Sequence, residues 1–197
     1  MKRVWILKLL LAAGLILSLF VLDPSPYLLP TLMAALLHEC GHLLAFLLLK
    51  IPLSGVSVGF FGMRLRSAGR LLSYGEEWLL SASGPLASLF GAALGALLWN
   101  KGSFFASFSC ASLLLGLLNL APIRSFDGGR MLECFLSTLL DPEKSRTVLY
   151  FCSCACLFFF FALSSYLFLL AGEGVGFFFF SAGLFFRFLF DEKNEIF

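Results

Sequence analysis

The chain has 197 residues, of which 60% are hydrophobic and 13% charged, with 25 phenylalanines and a formal net charge of +2. A soluble domain of this length has too much surface for its volume to hide that much apolar side chain. The expected class is an all-α polytopic membrane protein, a single domain over residues 1–197 with the lipid bilayer as its solvent. The small net charge, and the lack of a basic stretch interleaved with aromatics, exclude nucleic acid as a partner.

In chain order, Lys2 and Arg3 precede an apolar run over residues 4–22. No small-x-small cleavage pattern precedes Asp23, and Lys8 sits in the first turns, so a retained span entering from the cytoplasm is expected rather than a signal peptide. The turn Asp23-Pro24-Ser25-Pro26 returns the chain into a second span, residues 28–49.

That span carries His38-Glu39-Cys40-Gly41-His42, which includes both histidines of the chain. Residues four apart share one face of a helix. His38 and His42 can therefore offer two imidazole nitrogens to one metal ion, as in zinc peptidases. Glu39 lies about 100° around the helix from His38, close enough to take a proton from a water that the metal activates. A charged side chain at bilayer depth costs on the order of 2.5–3.5 kcal/mol on insertion scales, and a metal supplies a compensating partner.

Beyond Lys50 and Pro52 the texture changes. Val56, Val58 and Phe60 alternate, then Met63 and Leu65 alternate with Arg64 and Arg66, with Gly59 and Gly62 as breakers. The period of two predicts a short β-hairpin over residues 55–66, the alternative being an irregular cytoplasmic loop. An open sheet edge cannot face lipid, so the hairpin belongs at the membrane interface or beside a wet cavity.

A third span, residues 78–99, contains Ser83-Gly84-Pro85. Its small residues Gly84, Ser88, Gly91 and Gly95 are spaced for close packing against another span. The fourth, residues 104–120, has Asn119 near its end and is broken by Pro122. Asp127-Gly128-Gly129 follows. Asp127 can cap a short helix over residues 131–140, or it can supply the third ligand that a catalytic zinc needs. Residues 148–170 and 175–189 form the last two spans.

Lysines and arginines concentrate on one side of this arrangement. That predicts six spans with both termini in the cytoplasm. At ~1.5 Å per residue, His42 lies about 12 Å and His38 about 18 Å from Lys50, so the three ligands can meet in the cytoplasmic half of the bilayer. Cys152, Cys154 and Cys156 point to different faces of one helix and cannot share an ion or close disulfides; buried, inert thiols are expected.

The segment His38-Glu39-Cys40-Gly41-His42, with Asn119-Leu120-Ala121-Pro122 and Phe126-Asp127-Gly128-Gly129-Arg130, resembles the site-2 protease family of intramembrane metalloproteases. Within it, the similarity is to the bacterial branch typified by stage IV sporulation protein FB. Ser83-Gly84-Pro85 resembles the family's Gly-Pro motif, although the family usually has Asn at the place of Ser88 and often Pro at that of Ser125.

The resemblance implies one zinc ion per chain held by His38, His42 and Asp127, with Glu39 as general acid/base and a membrane-embedded β-hairpin. It also implies a membrane-tethered protein substrate such as a pro-sigma factor, cut on the cytoplasmic side, and membrane partner proteins that gate the site. Neither the CBS nor the PDZ domain of some family branches is expected. Val56 and Val58 are the candidate edge for pairing with an extended substrate, and Asn119 and Gly84 are further candidate substrate contacts.

Two other readings stay open. A metal or proton transporter could use His38, Glu39 and Asp127 as its pathway, although no repeated halves are visible. A different zinc peptidase could take Glu133 as its third ligand.

Overall fold

The computed structural model describes residues 25–51, 53–59, 62–67, 72–171 and 175–193. The expected first span, residues 4–22, lies outside them. Helix α1 (Leu28–Leu48) is stopped by local hydrogen bonding: Lys50 N–H donates to the Leu47 carbonyl at 3.2 Å and Ile51 N–H to that of Phe46 at 3.1 Å. Lys50 stands at φ 51°, the left-handed conformation that closes many helices and is usually left to glycine. Phe46 and Ile51, on either side of the turn, are both buried.

A two-stranded antiparallel ribbon follows, β1 (Leu53–Gly59) and β2 (Gly62–Ser67). Val56 is opposite Leu65 and Val58 opposite Met63, with an irregularity between Leu53 and Gly55.

Helix α2 (Tyr74–Leu97) begins four residues before the expected position because of a capping box. Ser73 Oγ accepts from Glu76 N–H at 3.3 Å, and Glu76 Oε2 accepts from Ser73 N–H at 3.0 Å, so two orphan donors of the helix start are satisfied. A 3-10 turn (Trp99–Lys101) leads into α3 (Ser103–Asn119). Helices α1, α2 and α3 pack on one another. The small residues Gly84, Ser88, Gly91 and Gly95 are all buried, with Gly91 against Leu37 of α1 and Gly95 against Ser109 of α3.

The short helix expected over 131–140 is instead α4, Asp127–Ser137. The two glycines do not delay it; they form its first turn, because the preceding loop runs directly over them. A Cβ on Gly128 would collide with the Leu120 carbonyl, and one on Gly129 with that of Ile123. Helix α5 (Pro142–Ala171) starts six residues earlier than expected, with Pro142 in its first position, where a missing N–H costs nothing. Helix α6 (Val175–Lys193) returns along it. The Tyr150 and Phe188 rings stack at 5.2 Å, those of Phe168 and Phe178 at 5.4 Å, and the buried hydroxyls of Ser164 and Ser181 meet at 2.7 Å.

Helices α1, α2 and α5 (to Leu170) are long and apolar enough to cross a membrane, whereas α3 and the apolar part of α6, Val175–Phe188, are shorter. This is a helical membrane protein. All six cysteines are free. Cys152, Cys154 and Cys156 are half-buried, not buried as expected, and Cys40 and Cys110 are exposed; a thiol behaves as a small hydrophobe and sits as well on an outward apolar face as in a core. Cys134 is buried, and burial together with the Glu77 carboxylate 3.7 Å away pushes its thiol up to about 12, so it stays protonated at neutral pH.

Candidate metal centre

His38 and His42 stand one turn apart on α1, their ring centroids 5.0 Å apart and nearly perpendicular. Both reach the same atom. Asp127 Oδ2 lies 3.1 Å from His38 Nε2 and 3.1 Å from His42 Nε2. Ligand atoms of the three residues all lie within 4.8 Å of one another. Asp127 is the first residue of α4; the N-cap is Phe126, which makes no side-chain cap. The Asp127 carboxylate is turned to the histidines.

Helix α2 holds the imidazoles from behind. His42 Nδ1 is 2.9 Å from the Leu80 carbonyl, and Ser83 Oγ, 3.3 Å from the same nitrogen, donates to that carbonyl at 2.6 Å. A carbonyl oxygen only accepts, so His42 carries a proton on Nδ1, which leaves Nε2 as its candidate ligand atom. His38 Nδ1 meets the fully buried hydroxyl of Ser88 at 2.9 Å. The bare α-carbon of Gly84 backs both rings. A Cβ there would coincide with His42 Nε2 and come within 2.8 Å of His38 Nε2.

This donor set fits a metal ion. An anionic carboxylate oxygen 3.1 Å from both Nε2 atoms calls for positive charge between them, supplied either by a proton on a ring or by a metal ion. Ligands at the usual ~2.0–2.1 Å around a tetrahedral zinc sit about 3.3 Å apart, near the 3.1 Å seen here. His38, His42 and Asp127 could therefore hold one.

The other candidate residues are placed as follows. Glu39 is half-buried on α1 and has no hydrogen bond to any described residue. Glu133 is not in the cluster; its Oε1 lies 4.0 Å from Arg146 Nε. Asn119, the last residue of α3, spends its amide N–H on its own helix, donating to the Leu115 carbonyl at 3.0 Å. Gly84, a candidate substrate contact, lies against His42 Nε2 and His38 Nε2. Val56 and Val58 are in β1.

Three supporting groups escaped sequence reasoning: Ser88, Ser83 and the Leu80 carbonyl. The available signal was that Leu80, Gly84 and Ser88 recur every four residues, on the face that meets the histidines. Ser88→Ala is expected to weaken zinc binding roughly 10-fold, the effect of losing an outer-shell partner. Competition with a chelator on the purified chain measures it.

No protein-family model matches the sequence, and no curated protein does. The structure of the site-2 protease from Methanocaldococcus jannaschii superposes with a TM-score of 0.58, at 19% identity, over 90% of this chain and 84% of that one. The chain has a site-2 protease fold. At this identity the likeness is one of architecture, and it spans most of both chains. Within the site-2 protease fold, the histidine helix, the glycine-backed helix α2 and the Asp127 turn converge as described above.

Proposed function

We propose that this protein is an intramembrane zinc metalloprotease. The observation that carries the reading is the meeting of His38 Nε2, His42 Nε2 and an Asp127 oxygen, one residue from a free carboxylate, among helices apolar enough for a bilayer.

The ligands would be His38, His42 and Asp127, one zinc per chain. When bound, zinc supplies Lewis acidity toward water and toward the scissile carbonyl. Glu39 accepts the proton of the attacking water and passes it to the leaving amine. Ser88 and the Leu80 carbonyl hold the imidazoles so that Nε2 faces inward. Peptide bonds in a helix are shielded, so the substrate must extend locally, and the β1–β2 ribbon is proposed to lie at the membrane and pair with that extended segment through the edge carrying Val56 and Val58.

The six-span topology, the cytoplasmic termini and a site in the cytoplasmic half of the bilayer rest on the distribution of lysine and arginine. The substrate class is a membrane-tethered regulator. A pro-sigma-type substrate, and with it a role in sporulation, rests on the sequence motifs alone.

The test is zinc content. Purified wild type should carry one zinc per chain, Asp127→Ala should lose it, and Glu133→Ala should keep it. Retention in Asp127→Ala with loss in Glu133→Ala would overturn the ligand assignment. A wild type that takes up no divalent metal would end the metalloprotease reading.

A further inference from the structure

We infer that Ser153, on α5, is a positioning residue for the third metal ligand. The inference rests on the metal reading above.

Asp127 is delivered by a non-helical turn, and α5 holds the backbone of that turn through one side chain, Ser153. Ser153 Oγ accepts from the Arg124 N–H at 3.0 Å and donates to the Pro122 carbonyl at 3.2 Å. Ser153 is fully buried. A single hydroxyl thus clamps the backbone on both sides of Ile123.

Apolar contacts complete the attachment. Ile123 and Phe126 of the turn are buried in a cluster with Leu157 of α5 and Leu184 of α6. Leu149, Ser153 and Leu157 are all at most 1% exposed and follow one another at four-residue spacing, the spacing of a single helix face. That face is the seat of the turn.

From the turn, position passes to the ligand by direct backbone contact. The Ile123 carbonyl lies so close over Gly129 that no Cβ fits between them. Ile123 is thereby gripped by α5 on one side and by the first turn of α4, which begins with Asp127, on the other. A metal ligand must be held within about 0.5 Å of its productive position. Ser153 is two links from the ligand: it fixes the turn, and the turn fixes Asp127.

Ser164 provides the control. It is also on α5, also fully buried, and also makes an interhelical hydrogen bond, to Ser181 Oγ at 2.7 Å. It lies 11 residues on, about 16 Å along the helix, and touches no part of the Asp127 turn in any described hydrogen bond.

The experiment uses the full chain in detergent, as wild type, Ser153→Ala and Ser164→Ala. It measures zinc dissociation constants by chelator competition and thermal unfolding of the metal-free proteins. Both variants should unfold at lower temperature than wild type, but only Ser153→Ala should bind zinc about 10-fold more weakly. Ser153→Cys fills the same space with a poor hydrogen-bonding group, so it should show the same weakening if the alanine variant fails to fold.

Wild-type zinc affinity in the Ser153 variants would overturn the inference. So would equal weakening in Ser164→Ala, since the effect would then follow stability alone. Wild type without zinc affinity would remove the metal reading itself, a result visible before any variant is compared.

Discussion

Glu39→Gln is expected to cut peptide hydrolysis by about 10²–10⁴-fold, the usual worth of a positioned general acid/base, with zinc content unchanged. Glutamine keeps the size and polarity of the side chain but cannot accept the proton of the attacking water. Glu39 is half-buried, is not one of the clustered ligands, and has no described hydrogen-bonding partner whose loss would disturb the fold. Initial rates on a tethered substrate, divided by zinc per chain, separate the two effects. A glutamine variant that cuts within a few-fold of wild type would remove Glu39 from the mechanism. One that loses its zinc would place Glu39 among the ligands.

Gly84→Ala is the smallest substitution expected to destroy the site. A methyl group there would occupy the place of His42 Nε2 and crowd His38 Nε2. Two relaxations are open. The rings can swing away from Asp127, or α2 can back away from α1 and give up the contacts of Ser88 with His38 and of Leu80 with His42. Each separates the donors, so zinc affinity should fall by at least about 100-fold, the upper end of outer-shell effects. Overpacking should also cost about 1–3 kcal/mol of stability. Gly75→Ala serves as comparison, because a Cβ there meets nothing within 4 Å; near a helix start it should be neutral or slightly stabilising. Zinc titration and thermal unfolding of the two variants test the packing. Wild-type zinc affinity in Gly84→Ala would mean the imidazoles do not lie against α2.

The histidine pair and Glu39 were legible in the sequence because their relation is local: four residues on a helix make one face, whatever the rest of the chain does. Asp127 was harder. It lies 85 residues from His42, and spacing alone could not separate a ligand from a helix cap. The motif suggested the ligand; in the structure α4 starts at Asp127, with its carboxylate aimed at the histidines.

Ser88 was read as a departure from a family pattern on a stripe of small residues. Which way such a stripe faces depends on the rotation of one helix against another, and a single sequence does not encode that visibly. The same limit applied to Gly84. Its lack of a side chain reads equally as a substrate contact or as room for an imidazole. The early start of α4 was missed for a related reason: two adjacent glycines carry no local helix signal, whereas the crowding by the Leu120 and Ile123 carbonyls makes them necessary inside the helix.

Helix α3 has 17 residues, about 25 Å at the usual rise, against a hydrocarbon thickness of ~30 Å. Its last residue, Asn119, comes eight residues before Asp127. In a bilayer the deficit of about 5 Å is hydrophobic mismatch, and lipid around a short helix thins to meet it. With α3 set across a bilayer, the headgroup layer and its water would be drawn inward at its end, close in sequence to the proposed ligand Asp127. The proposed peptide hydrolysis would consume water inside a medium that excludes it, and a helix one turn too short would be a route by which water arrives.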